Sequence, residues 1–273
     1  MLKLPTMNHI EALVSDADGT LVNTVSLIRH GQYETARTYF VKHGIPADEI
    51  PDYEPYETLL NQTVGGTARN TLEKTTRLLY VGSPHYLNSM DFEELHDMLD
   101  PIQDRIAAEY IKPYDGLSEF LHKLGALGVK LAIFTSGTSH HIVRNFGIAL
   151  PELDLSSLHM DKSITDEGKL EIFVESVKSQ FSIPDFTVIT AHDVEREKPH
   201  PDSLQLAMQR LRVAPESTAV LGDHKVDMQT ARNAGVNNRI GITHGFDDRT
   251  TLERAGATQI VDSLSELTDL LRR

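Results

Sequence analysis

Two aspartates separated by one residue, Asp16 and Asp18, close the apolar run ALVS and are followed by Gly19-Thr20. Asp and Gly suit a tight turn, and Asp can bond its own backbone. Two carboxylates at the carboxyl end of a strand are also placed to serve a metal ion and a reacting group. Three further groups lie downstream: Thr135-Ser136-Gly137 after KLAIF, Lys198 in EREKPHPD, and Gly222-Asp223-His224-Lys225-Val226-Asp227 after AVL.

These residue types suit phosphoryl transfer. A carboxylate can attack phosphorus in line, and Asp16 is the candidate nucleophile. Asp18, two residues on along an extended backbone, can protonate the leaving oxygen and then activate the water. An anion attacking a phosphate needs positive charge, which a hard cation held by oxygen ligands supplies. Asp16 and Asp223 are the expected Mg²⁺ ligands, with Asp18 contributing its main-chain carbonyl. Lys198 adds a point charge, while Thr135 and the amides of Ser136 and Gly137 can hold phosphate oxygens at a helix start. Asp227 is expected to orient Lys198 or a metal-bound water from behind.

Residues so far apart in sequence meet only if the fold brings strand ends together. Short apolar runs precede Asp16 and occur at Lys130 to Thr135, Phe186 to Ala191, Ala219 to Gly222 and Arg239 to Thr243. They read as parallel strands buried on both faces. Helical spacing marks Gly116 to Gly128, Pro201 to Val213 and Val226 to Val236 between them. The alternation predicts an α/β fold with a Rossmann-like, doubly wound parallel sheet, whose carboxyl ends converge on one crevice. From Asn23 to about Lys112 only helical stretches are evident, ending at the Pro113 and Gly116 of IKPYDG. The expected organisation is therefore a core of residues 1–22 and 113–273 with a helical module, 23–112, inserted after the first strand. Residues 149–182 have weak periodicity and read as an irregular surface excursion.

The chain has 273 residues, enough for a sizeable core and a second module. It contains no cysteine, which excludes disulfides, thiolate metal sites and Cys nucleophiles and fits a reducing, cytoplasmic setting. No long apolar run follows a basic start, so neither a signal peptide nor a spanning helix is expected. A net charge of −14 disfavours nucleic acid and anionic membranes as partners. The expected partner is a small phosphomonoester, bound by a monomer or homodimer. No P-loop, dinucleotide fingerprint, HExxH or GxSxG motif is present.

DADGTLV, FTSGT, KPHPD and LGDHKVD resemble, in order, the four motifs of the haloacid dehalogenase superfamily. The helical insert resembles that superfamily's C1 cap, and the spacing is similar to phosphoglycolate phosphatase-like members. The resemblance implies Mg²⁺-dependent phosphomonoester hydrolysis with Asp16 as nucleophile and Asp18 as acid and base. Haloacid dehalogenases lack an acid at the Asp18 position, so its presence favours phosphate over halide chemistry. Two departures stand out: Asn23 replaces a common Asp, and the stretch at 149–182 is longer than in the family. In the insert, Gly66 and Arg69 of GGTARNTL form a candidate substrate loop, because Gly permits close approach and Arg suits phosphate or carboxylate. A plain turn before a helix is the alternative. His224 suits either substrate contact or a solvent-facing loop, and adjacent His140-His141 point in different directions on a helix and are assigned nothing. Rival readings are a β-phosphoglucomutase-like mutase and a non-catalytic phosphometabolite-binding module.

Overall fold

The computed structural model describes residues 10–63, 67–79 and 90–270. They form two compact units, one of residues up to Asn23 with those from Lys112 onward, the other Thr24–Ile111.

The first unit is built on six strands: β1 (Ala12–Ser15), β4 (Lys130–Phe134), β5 (Phe186–Ile189), β6 (Thr218–Gly222), β7 (Asn238–Ile242) and β8 (Gln259–Val261). All pair in parallel, in the order β5-β4-β1-β6-β7-β8. The chain winds from β1 outward in one direction through β4 and β5, then crosses back to build β6, β7 and β8. The crevice of such a sheet lies beyond the carboxyl end of the strand where the winding reverses, here β1. Every residue of β1 is buried, as a central parallel strand with its neighbours on both edges requires. Register then levels the strand ends. Ser15 lies opposite Leu221 and Ile133, so Asp16 stands level with Gly222 and Phe134, with Asp223 and Thr135 one residue beyond.

Helices α5 (Leu117–Ala126), α6 (Ser139–Ala149), α7 (Asp166–Phe181), α8 (Asp202–Leu211), α9 (Lys225–Asn233), α10 (Arg249–Ala255) and α11 (Leu264–Leu270) connect or follow the strands. Leu204, Ala207, Met208 and Leu211 of α8 and Ala231 of α9 close one core cluster with Ala12, Val14, Ala132, Phe134, Ile189 and Val220. The stretch at 149–182 is not the irregular excursion its sequence suggests. It holds two short 3-10 turns, Pro151–Leu153 and Leu158–Met160, and then the 16-residue α7. Phe173, Val177 and Phe181 of α7 are buried at intervals of four. Lys169 is buried on that stripe while Leu170, Ile172 and Val174 lie off it, so the apolar period is faint in sequence. β8, only three residues long, and the helix at Tyr53–Thr63 also give no clear sequence signal.

The second unit contains α1 (Val25–Lys42), α2 (Tyr53–Thr63), α3 (Ala68–Leu79) and α4 (Phe92–Tyr110). Ala36, Tyr39, Phe40, Tyr56, Leu60, Leu72, Leu95 and Leu99 form its core. Asp91 caps α4 by accepting from the Glu94 amide. Where the chain leaves and re-enters the first unit, two-residue strands pair antiparallel: β2 (Val22–Asn23) against β3 (Lys112–Pro113). Among the described residues no helix is long and apolar enough to cross a membrane.

Candidate active site

Beyond the end of β1, Asp16 is fixed through its backbone N–H, which donates a hydrogen bond to the Leu221 carbonyl and continues the β1–β6 ladder. Its Oδ1 accepts from Lys198 Nζ at 2.6 Å, and the same ammonium donates to Asp227 Oδ1 at 2.8 Å. Lys198 also lies over the Phe134 ring, 3.7 Å from its centroid, an attraction between cation and π face. Sequence separations of 182 and 29 residues are thus closed into one buried ionic group.

Asp223 is fully buried. Its Oδ1 accepts from the Thr20 hydroxyl at 2.5 Å and its Oδ2 from the Phe246 amide at 2.8 Å. Glycines make room for it. Gly19 has φ +83°, and a Cβ there would stand 2.5 Å from Asp223 Oδ2, so both backbone conformation and space demand glycine. A methyl group at Gly245 would overlap the same carboxyl. Asp227 completes its pairing by accepting from the His224 amide at 3.1 Å.

Asp16, Asp223 and Asp227 can each present a ligand atom within 4.8 Å of the others. Three acidic side chains share this space with one ammonium, and burial is costly for such an excess of negative charge. The chief effect of burial is to push Asp16 up to about 7, with Lys198 pulling it back and Asp227 and Asp18 pushing it further. Burial, reinforced by Asp16 and Asp227, likewise raises Asp223 well above the usual carboxylate range. Lys198 rises to about 12, because attraction to Asp16 and Asp227 outweighs desolvation. Hard oxygen donors, a net negative pocket and glycines that leave room for the carboxyls together fit a divalent cation such as Mg²⁺.

The other expected residues fall as follows. Asp18 directs its carboxylate at Asn145 Nδ2, 2.8 Å away, so the third carboxylate of the acidic cluster is Asp227 and not Asp18. Thr135 is buried and its amide bonds the Ile189 carbonyl. Its hydroxyl accepts from the Gly137 amide at 2.9 Å, so that amide is engaged within its own loop, and Ser136 between them is half-buried. Thr138 caps α6, with His141 Nδ1 accepting from the Thr138 amide and the Thr138 hydroxyl from the His141 amide. His224 caps α9 through Nδ1, which accepts from the Val226 amide, leaving Nε2 3.6 Å from Asp247. Burial lowers its pKa and favours the neutral ring. Arg69 lies in the first turn of α3, its exposed guanidinium 4.0 Å from Asp97. Gly66 lies outside the described residues.

Sequence reasoning misses three groups that hold this site: Asn145, Phe246 and His244. His244 stacks on Tyr114 at 3.5 Å between centroids, while its Nε2 lies 3.0 Å from the Thr20 carbonyl. The one available signal is the Gly in HGFDD directly after an apolar run, which marks a close backbone approach without saying to what.

The sequence profile of the haloacid dehalogenase-like hydrolases matches residues 10–235, spanning every motif of the site. The chain belongs to this family. Pyrophosphatase PpaX from Bacillus mycoides is 24% identical over 264 residues, covering 97% of this chain and 98% of that protein. A predicted phosphoglycolate phosphatase from Haemophilus somnus shares the fold with TM-score 0.70 at 15% identity, covering 96% of this chain and 98% of its own. A candidate β-phosphoglucomutase from Thermotoga maritima superposes with TM-score 0.65 at 21% identity over 96% of this chain and 99% of its own. This haloacid dehalogenase-like hydrolase thus has its expected α/β architecture and enzymatic class.

Proposed function

We propose that this hydrolase is a Mg²⁺-dependent phosphatase acting on a small phosphorylated metabolite through an aspartyl-phosphate at Asp16. The observation that carries this reading is the Asp16–Lys198–Asp227 group at the strand ends, with Asp223 beside it and Asp18 held apart on its own partner. Asp16, Asp223 and the Asp18 main-chain carbonyl are the proposed ligands of Mg²⁺. When bound, the cation supplies positive charge that favours ionised Asp16 and offsets the charge of the incoming phosphate.

In this reading Asp16 attacks phosphorus while Asp18 gives its proton to the departing oxygen. Asp18, now a carboxylate, takes a proton from the water that hydrolyses the acyl phosphate. Lys198 steadies charge on Asp16 and on the transferring group, and Asp227 holds Lys198 in place. Thr135 and the Ser136 amide hold phosphate oxygens, with the Gly137 amide joining if its bond to Thr135 is exchanged for substrate. Residues 23–112 serve as the cap, with Gly66 and Arg69 as its substrate loop and the paired β2 and β3 as its hinge. The protein works in the cytoplasm as a monomer or homodimer.

The test is phosphate release from a panel holding phosphoglycolate, hexose phosphates and inorganic pyrophosphate, with Mg²⁺ or EDTA, for the native chain and Asp16→Asn. Pyrophosphate is included because of the PpaX relatives. Turnover that needs Mg²⁺ and vanishes in the variant supports the proposal, and the best substrate defines what the cap selects. No release by well-folded native protein contradicts it. Transfer between two hydroxyls of one sugar, with slow loss to water, would instead identify a mutase, the activity named for the Thermotoga maritima neighbour.

A further inference from the structure

Helix α6 begins just after the Thr135 loop, and its interior face is apolar at Ile142, Val143, Phe146 and Ala149. Two strongly polar side chains interrupt that face: Arg144 and Asn145 are 1% and 3% exposed. Burying a guanidinium and an amide is costly unless both are used. Arg144 Nε donates to Asn145 Oδ1 at 3.0 Å, and Asn145 Nδ2 donates to Asp18 Oδ1 at 2.8 Å. The network fixes the amide's orientation, because a guanidinium only donates and a carboxylate only accepts. The same helix packs against β2 and β3, the ribbon into which the chain runs after Asp18. One helix therefore fixes both the segment carrying Asp18 and the carboxylate itself.

We propose that Asn145, backed by Arg144, is a positioning residue that aims Asp18 for proton transfer. The proposal rests on the acid and base role given to Asp18 above. An amide donor on Oδ1 suits both halves of that role. When Asp18 carries a proton on Oδ2, Oδ1 still accepts from Asn145; when the proton has gone to the leaving oxygen, Oδ1 accepts as part of the carboxylate. The aim of Oδ2 is thus kept while its proton leaves and is replaced from water.

A leaving-group comparison tests this. An alkoxide must be protonated as it departs, whereas p-nitrophenolate departs without help. Native protein, Asn145→Leu and Arg144→Met are assayed with Mg²⁺ for kcat/KM, which reports the first chemical step, on p-nitrophenyl phosphate and on an alkyl phosphate. General acid catalysis contributes roughly 10²–10⁴-fold. Misaiming the acid is expected to lower kcat/KM of Asn145→Leu for the alkyl ester by about 10–100-fold, and for the aryl ester by less than about threefold. Arg144→Met should show the same selective loss at smaller size. If Asn145→Leu does not fold, Asn145→Ser, whose shorter side chain cannot span to Asp18, repeats the comparison. Equal losses on both esters, or none on the alkyl ester, overturn this inference alone. Folded native protein inert towards both esters overturns the phosphatase reading as well.

Discussion

Replacing the proposed nucleophile should make the metal-free protein more stable in alkaline solution. Burial raises Asp16 from its ordinary value of 3.8 to about 7 in the folded chain. Between those values the native state holds a proton that the unfolded chain has released, so stability present below pH 3.8 is lost as pH rises through 7. At 1.36 kcal/mol per unit, that loss totals about 4 kcal/mol, of which roughly 3 kcal/mol falls between pH 5 and pH 8. Asn cannot ionise and is close to isosteric with protonated Asp, so Asp16→Asn should escape it. Buried His224 and His244, whose lowered pKa values work in the opposite direction, are common to both proteins and cancel in the difference. Thermal melts in EDTA should therefore show the gap between variant and native protein widening in the variant's favour by roughly 3 kcal/mol from pH 5 to pH 8. At about 2–4 °C per kcal/mol for a chain of this size class, that is about 6–12 °C. Mg²⁺ should then raise the melting temperature of the native protein at pH 8 far more than that of Asp16→Asn. Melting temperatures of the two proteins that run parallel across pH in EDTA would refute the electrostatic reasoning.

Other expectations follow from single contacts. Lys198→Met removes the cation shared by Asp16 and Asp227 and should destabilise the metal-free protein by about 3–5 kcal/mol, read by denaturant unfolding. Thr20→Val deletes the hydroxyl donor to Asp223 and should weaken Mg²⁺ binding by roughly 10–100-fold in a calorimetric titration. Gly245→Ala puts a methyl group into the Asp223 carboxyl and should lower Mg²⁺ affinity and melting temperature together, whereas Gly235→Ala, with open space at its Cβ, should change only stability.

The sequence was informative where chemistry and burial coincide. Asp16, Asp18, Thr135 and Asp223 each follow an apolar run, and a parallel sheet leaves little choice about where such runs end, whereas Lys198 lies in a charged loop nine residues beyond Ile189. Register then puts Asp223 and Thr135 one residue beyond the level of Asp16, without any need for the side chains to signal it. What stayed hidden depends on partners distant in sequence. Asn145 lies 127 residues from Asp18 inside an ordinary amphipathic helix, and Phe246 acts through its backbone amide, which its side chain does not advertise. Helix α7 was obscured for a different reason: only a narrow stripe, Phe173, Val177 and Phe181, reaches the core. Asp227 is expected behind Lys198, and its 2.8 Å bond to that ammonium comes from the first turn of α9, five residues past the end of β6.

An aspartyl-phosphate at Asp16 can be sought directly by an acid-quenched single turnover with Mg²⁺ and the best phosphomonoester, followed by peptide mapping for the phosphoryl group. The group should appear transiently on the peptide bearing Asp16, survive the acid quench and be absent from Asp16→Asn. Turnover by the native protein with no phosphoryl group on Asp16 at any time, or undiminished turnover by Asp16→Asn, would contradict an aspartyl-phosphate at Asp16.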